Sequence, residues 1–167
     1  GAAVFPTLAE GELCATIDLL PTLAKLAGTE APRDRIVDGR DIRPLLFGEP
    51  GAKSPHEAFF YYYLGQLQAV RSGKWKLYLP LEARLFGFGR VRRPSPAMLY
   101  DLEADLAETT NVAGQHPDTV RRILELADKA RADLGDVGRQ GANQRPAGSV
   151  ENPKPQVLDA AGSPRVD

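Results

Sequence analysis

The sequence predicts an α+β fold in which an antiparallel sheet of three or four strands packs against one long helix. Three features indicate this fold. Strand-like patterns fill the middle of the chain, a glycine-containing turn at 72–73 joins two of them, and an amphipathic helix begins near residue 117. A chain of 167 residues is long enough for one domain with a buried core. We therefore expect one unit of sheet and helix, preceded by two short helices.

The first 50 residues are predicted to hold these two short helices. In the first, Asp18 stands at the N-cap, Pro21 falls in the first turn and Gly28 ends the helix. Its apolar face is formed by Leu19, Leu23 and Leu26. The second helix repeats this arrangement over 41–48.

The strands are predicted from residue 58 onward. An aromatic run at 58–63 has strand length, and 66–71 and 74–79 flank the Ser72-Gly73 turn as a hairpin. Lys74 and Lys76 alternate with Trp75 and Leu77, the period of a sheet with one face in water. A further strand is expected at 97–102, after a loop rich in glycine, arginine and proline.

The clearest helix is expected at 117–134. Pro117 occupies its first position, Asp118 suits the positive helix start and Gly135 ends it. Its apolar stripe comprises Val120, Ile123, Leu124, Ala127, Ala130 or Arg131, and Leu134. Residues 136–167 have no periodicity and are expected to form an extended or disordered tail.

Composition and charge narrow the function classes. The chain has 21 Lys plus Arg and 22 Asp plus Glu, and this balance argues against a nucleic-acid partner bound through overall charge. No apolar run approaches the roughly 20 residues needed to cross a bilayer, so we expect no membrane partner. Because Cys14 is the only cysteine and His56 and His116 the only histidines, an internal disulfide, a multi-cysteine zinc site and a three-histidine metal centre are excluded.

Catalytic motifs are incomplete in this sequence. His56-Glu57 begins like a zinc-protease motif but lacks the second histidine, and the dinucleotide-like glycines at 87–89 are followed by Arg92 where a third glycine is needed. We expect no catalytic residue and no metal ligand in the chain. The remaining chemistry is cationic, because guanidinium groups bind oxyanions through paired hydrogen bonds. The cations are Arg71, Lys74 and Lys76 on the hairpin and Arg84, Arg90, Arg92 and Arg93 after it, although a solvated loop explains the latter group better.

Five short strings follow one another along the chain. They are Thr-Ile-Asp-Leu-Leu-Pro-Thr-Leu at 16–23; Asp-Gly-Arg-Asp at 38–41 with Pro-Leu-Leu at 44–46; His-Glu-Ala-Phe-Phe-Tyr at 56–61; Ala-Val-Arg-Ser-Gly-Lys-Trp-Lys-Leu at 69–77; and Leu-Tyr-Asp-Leu at 99–102 with Glu-Thr-Thr-Asn-Val at 108–112. In this order and spacing they resemble the C-terminal portion of the sulfatase family, specifically arylsulfatase A-like enzymes. The resemblance covers about residues 12–145.

The resemblance implies a parent enzyme that hydrolyses sulfate esters. Such enzymes use a formylglycine, made from the first residue of a Cys/Ser-x-Pro-x-Arg motif, beside a calcium ion that acts as Lewis acid and template. Both groups are expected upstream of this segment, because Cys14 is followed by Ala15 and Thr16 and lacks the proline and arginine of that motif. This chain alone is therefore predicted to be inactive and to hold no cofactor.

The resemblance also implies an organisation of the chain and a partner. Residues 1–50 would close an alkaline-phosphatase-like α/β catalytic domain, 51–135 would form the C-terminal subdomain and 136–167 the tail. The expected partner is the missing N-terminal catalytic domain, through which a sulfated small molecule or polysaccharide is reached. By position, His56, Arg71, Lys74 and Arg90 are the candidates for the rim of the substrate cleft. Sulfatases of this kind are exported or lysosomal, and the compartment of this chain is left open.

Two other function classes remain open at this point. A stand-alone anion- or sulfated-polysaccharide-binding module could use the basic hairpin and the aromatic strand. A small nucleic-acid binder could use Trp75, Tyr78 and the arginines, although the balanced charge and the lack of an RNA-binding signature weigh against it.

Overall fold

The computed structural model describes residues 11–86, 90–92, 94–144 and 151. A 3₁₀ turn at Thr16–Asp18 leads into helix α1 (Leu19–Leu26), and the short helix α2 (Arg43–Leu46) follows. The strands are β1 (Phe59–Tyr63), β2 (Gln66–Ser72), β3 (Trp75–Tyr78), β4 (Arg84–Phe86), β5 (Arg90–Arg92) and β6 (Met98–Asp101). Helix α3 spans Pro117–Leu134.

Four of the strands form one antiparallel sheet in the order β1-β2-β3-β6. The predicted hairpin is confirmed, with Ser72 opposite Trp75 and Ala69 opposite Tyr78. Its turn depends on Gly73, whose φ of +56° lies in the left-handed region that favours glycine. Strand β6 pairs with β3 along its whole length, with Leu77 opposite Leu99.

Helix α3 covers one face of this sheet and completes the core. Leu67, Leu77, Leu79 and Leu99 from the sheet side and Ile123 from the helix are fully buried. Leu126, Ala127 and Ala130 extend the buried face of the helix. The predicted α+β fold and the bounds of α3 are confirmed, and Leu126 is the buried residue that the predicted stripe omitted.

The loop predicted between the hairpin and the last strand contains a second, smaller hairpin. Strand β4 pairs with β5, with Arg84 opposite Arg92 and Phe86 opposite Arg90. A bridge between Leu81 and Ser95 closes its base. The prediction of a simple loop is wrong here, because glycines and arginines hid strands of only three residues each.

After α3, residues 136–144 fold back onto the helix. The amides of Ala142 and Asn143 donate to the carbonyls of Ala132 and Asp133, each at 2.8–2.9 Å. Asp136 accepts hydrogen bonds from the Leu67 amide and from Arg131. Residues 136–144 therefore pack against the unit, although the sequence assigned them to the tail. The rest of that predicted tail, 145–150 and 152–167, lies outside the described residues, as do residues 1–10.

Candidate functional site

The N-terminal segment, defined as residues 11–46, is joined by hydrogen bonds to the linking loop, residues 53–57, which leads into β1. The Glu12 carboxylate accepts from Lys53 Nζ at 2.9 Å and from the Ser54 amide at 2.8 Å. The Ser54 hydroxyl donates to the Leu13 carbonyl at 2.5 Å and accepts from the His56 amide at 3.1 Å. The bonds from Lys53 and Ser54 to Glu12 and Leu13 join residues about forty positions apart and fix the loop that leads into β1.

A buried pair, Asp18 and His56, lies at the centre of this contact. His56 Nε2 lies 2.7 Å from Asp18 Oδ1, and the two side chains are 9% and 0% exposed. Because an ionised carboxylate only accepts hydrogen bonds, Nε2 is the donor. Asp18 also accepts from the Ala15 amide and the Arg40 amide, both at 2.8 Å.

The surroundings of Asp18 favour its charged form. Burial raises the pKa of this carboxyl, but hydrogen bonds from the amides of Arg40 and Ala15 and from His56 outweigh burial and hold the pKa below its ordinary value. The predicted role of Asp18 as a helix cap is wrong, because its side chain makes no capping hydrogen bond to α1. Its oxygens bind the 3₁₀ turn, the segment around Arg40 and the linking loop instead.

Two further residues bring the segment around Arg40 close to the first helices. Thr22 is fully buried, and its hydroxyl accepts from the Ile42 amide at 3.1 Å. Gly39 lies so near the 3₁₀ turn that a Cβ there would come within 1.9 Å of the Ile17 carbonyl oxygen. This close approach explains why a glycine stands in the Asp-Gly-Arg string.

The β2–β3 turn carries Arg71 and Lys74 to the same end of the sheet as the linking loop. The Arg71 guanidinium donates to the carbonyls of Gly11 and Gly73. Lys74 Nζ lies 2.6 Å from Asp101 Oδ2, and this hydrogen bond raises the pKa of Lys74. Next to them, the Ser72 hydroxyl donates to the Glu57 carbonyl at 2.9 Å.

A cleft of about 340 Å³ separates this turn from the N-terminal segment. Its wall includes Glu12, Lys53, His56, Lys74 and Glu103. A larger cleft of about 520 Å³ lies on the other side of the linking loop, between Arg40, Phe60 and Leu134, and His56 also lines it. The smaller cleft is lined by equal numbers of carboxylates and ammonium groups, a balance that does not favour anions over cations.

The structure places the four rim candidates differently. Arg71 and Lys74 lie together at the turn, whereas His56 is buried behind it and bonded to Asp18. The backbone of Arg90 lies in β5, and its side chain is outside the described part of the structure. No contact with a substrate is present to test these four predictions, so they stay predictions.

The other singled-out residues have mainly structural contacts. Lys76 pairs with Glu108 at 2.6 Å and lies over the rings of Tyr61 and Tyr78. His116 stacks on Trp75 with the ring centroids 4.7 Å apart. Cys14 is exposed. Among the described residues, no group of three or more His, Cys, Asp or Glu side chains could hold a metal ion. In the same residues, no helix is both long enough and apolar enough to span a bilayer.

Sequence reasoning missed the pairing of Asp18 with His56. Both residues stood in strings that were singled out, but they are 38 positions apart, and no local pattern links them.

Helix α1 presents its leucines to solvent. Leu19, Leu20, Leu23 and Leu26 are each about half exposed, from 49% to 58%. Ile17, just before α1, and Phe47, just after α2, are also exposed. Large exposed apolar patches are uncommon on monomeric proteins and are typical of interaction surfaces.

Comparison with known proteins agrees with these features. A family profile described as the C-terminal region of aryl-sulfatase matches residues 54–154. Mouse steryl-sulfatase is 35% identical over 68% of this chain, and human arylsulfatase A is 34% identical over 69%. The chain spans 21% and 26% of the lengths of these two relatives.

A solved structure extends the match to the fold. It comes from Bacteroides thetaiotaomicron, its description concerns the metabolism of multiple glycosaminoglycans, and it superposes with a TM-score of 0.54 at 30% identity. The superposition covers 68% of this chain and 24% of that one. The profile, the relatives and the fold agree, and the chain belongs to the sulfatase family, where it corresponds to the C-terminal region of an arylsulfatase.

Proposed function

We propose that this chain completes the fold of an arylsulfatase-like enzyme and forms part of the rim of its substrate cleft, while the catalytic groups lie in the rest of the parent protein. In this proposal residues 1–50 close the catalytic domain and residues 51–135 form the subdomain that docks on it. The reaction of the parent is hydrolysis of a sulfate ester.

The open leucine face of α1 is the observation that carries this proposal. Leu20 and Leu23 are 53% and 58% exposed on a helix that begins directly after Asp18, the residue bonded to His56 of the linking loop. Burying a leucine stabilises a fold by about 1.5–3 kcal/mol, so a face of four leucines strongly favours a covering partner. The relatives are about three to four times longer than this chain, and a parent of that length has room for such a partner.

The residues of this chain do not fit the calcium ion and the formylglycine that the family implies. Cys14 lacks the motif needed for its conversion, and the described acidic side chains do not converge on a metal site. We therefore assign both groups to the rest of the parent and derive no chemical step from this chain.

The experiment is a reconstitution. The chain, the upstream remainder of the parent and the two together are assayed with 4-methylumbelliferyl sulfate. We expect turnover only when both parts are present. A Leu23→Asp variant should abolish reconstitution, and Leu106→Asp, which changes a loop leucine that is 81% exposed, should not. Turnover by this chain alone would contradict the proposal, and so would reconstitution that Leu23→Asp leaves intact.

The alternative of a stand-alone anion-binding module has less support. Lys74 is bonded to Asp101 and Lys76 to Glu108, so two of the three hairpin cations are neutralised by acids of the same unit. Binding of this chain to heparin at physiological salt, weakened by Arg71→Ala, would favour that module.

A further inference from the structure

We infer that Asp18 and His56 form a positioning pair that fixes the β2–β3 turn, and with it Arg71 and Lys74, relative to the N-terminal segment. The inference rests on the proposed function, because the turn matters for catalysis only if it belongs to the rim. It assigns His56 a role different from a substrate contact.

The pair of Asp18 and His56 is held rigidly. Three donors from three parts of the chain converge on the Asp18 carboxylate: the Ala15 amide, the Arg40 amide and His56 Nε2, all within 2.8 Å. Asp18 is fully buried, so water cannot replace any of these donors without opening the structure. His56 therefore has one favoured position relative to the N-terminal segment.

His56 is also connected to the turn. Glu57 follows His56, and its carbonyl accepts a hydrogen bond from the Ser72 hydroxyl at 2.9 Å. Ser72 in turn accepts from Arg122 of α3 at 3.0 Å and lies directly before the turn glycine. A displacement of the linking loop is thus transmitted through two consecutive residues to the start of the turn.

His56 has no free donor at Nε2 for a substrate. Its side chain is 9% exposed, and Nε2 already donates to Asp18. Arg71 and Lys74 lie at the turn, where the smaller cleft opens between Gly73, Lys74 and the N-terminal segment. Among the four rim candidates, His56 therefore has the geometry of a residue that holds the turn with Arg71 and Lys74 in place.

Two variants of one position separate this role from simple packing. In His56→Gln the amide nitrogen can take the place of Nε2 and donate to Asp18, whereas His56→Leu has similar size and no donor. In ¹⁵N-labelled protein we expect the Leu variant to shift the amide resonances of Ser72, Gly73 and Lys74, and the Gln variant to restore them. Amides of Met98 and Leu99, at the end of β6 that lies away from the turn, serve as the internal reference. Unchanged turn resonances in the Leu variant, or a Gln variant that behaves like it, would overturn the inference.

A third variant keeps the test decisive if the Leu variant fails to fold. Ser72→Ala removes the connection at its far end and leaves the buried pair in place. Ser72→Thr keeps the hydroxyl and is the matched control. We expect Ser72→Ala to shift the amide resonances of Gly73 and Lys74 well beyond the shift in Ser72→Thr, while the His56 Nε2 proton keeps its hydrogen-bonded chemical shift. Turn resonances that stay in place would contradict the proposed connection.

In the parent enzyme the same variants give a kinetic readout. We expect His56→Leu to raise KM for 4-methylumbelliferyl sulfate by about tenfold through misplacement of the turn, and His56→Gln to restore most of it. The pH profile of kcat/KM should be the same in the Gln variant as in the unaltered enzyme, since a positioning residue exchanges no proton with substrate. A changed profile would overturn the inference. An unaltered parent that hydrolyses no sulfate ester would instead count against the proposed function, and the resonance experiment would still decide the positioning role.

Discussion

The N-terminal segment and the sheet-and-helix unit hold themselves together in different ways. In the unit, fully buried leucines of β2 and β3 pack against Ile123 of α3. In the segment, the fully buried side chains are Asp18 and Thr22, and the leucines of α1 face solvent. The unit carries a continuous apolar core. The segment buries three apolar side chains, Leu13, Ile42 and Leu45, and is otherwise held by polar bonds, while the leucines of α1 stay exposed.

This difference shows which part of the chain is self-sufficient. Apolar burial scales with the area removed from water and stabilises the unit whether or not a partner is present. Polar bonds such as that between Asp18 and His56 set geometry, but their net contribution to stability is about 1 kcal/mol each. The following predictions test this contrast between the two regions.

The largest effect is expected in the core of the unit. Leu77→Ala should lower the free energy of unfolding by about 2–5 kcal/mol, because it leaves a cavity in a fully buried site. The matched change Leu23→Ala on the open face of α1 should alter it by less than about 0.5 kcal/mol. Urea denaturation of the isolated chain measures both values.

The same two substitutions, Leu77→Ala and Leu23→Ala, can be compared in the parent protein. There we expect Leu23→Ala to destabilise by an amount comparable to Leu77→Ala, because the rest of the enzyme would cover α1. A small effect of Leu23→Ala in the parent protein, equal to its effect in the isolated chain, would show that α1 stays exposed in the parent. That result would contradict our explanation of the exposed leucines.

A smaller effect is expected at Gly39, where the segment is most tightly packed. Gly39→Ala should destabilise by about 3 kcal/mol, because the new Cβ would overlap the Ile17 carbonyl and force the backbone apart. Gly114→Ala, where a Cβ meets open space, is the control. Hydrogen exchange should show faster exchange in the N-terminal segment alone. Loss of protection in β2 and β3 as well would mean that the two regions unfold as one.

The sequence predicts those features that depend on residues close together in the chain. The hairpin followed from alternation around Gly73, and α3 from its own stripe and its proline and glycine ends, all of them local patterns. The resemblance to sulfatases rested on local strings in the same way. Local patterns also located the α1 leucines, but not whether anything covers them.

The candidate site was less predictable because its contacts join distant residues. The sequence places Lys74 and Lys76 on the face of the sheet in water, but it does not reveal their acidic partners, Asp101 and Glu108, which stand 27 and 32 positions later. Asp18 fitted the pattern of a helix cap, and only the fold brought it to His56. A carboxylate has the same local preferences in both roles, so sequence alone could not separate them.

The contribution of Asp18 to stability should depend on pH. Its pKa is lower in the folded chain than its ordinary value, so its contribution to stability is complete above about pH 4 and is lost as the pH falls through the lowered pKa. Asp18→Asn should destabilise the segment by about 2 kcal/mol at pH 6 and by less at pH 3. Hydrogen exchange of the Arg40 amide at the two pH values measures this. An equal loss at both values would show that the charge of Asp18 is not what holds the segment.

The smallest effect is expected at the exposed end of the same contact. The hydrogen bond from Lys53 is the main cause of the lowered pKa of Glu12, followed by that from the Ser54 amide. Lys53 is 81% exposed, so Lys53→Ala should change stability by less than about 0.5 kcal/mol, while an NMR titration should show the Glu12 pKa moving up toward its ordinary value. Should Lys53→Ala instead loosen the segment as much as Asp18→Asn, a solvated ion pair would be holding the two regions together. The buried pair would then be a consequence of their contact and not its cause.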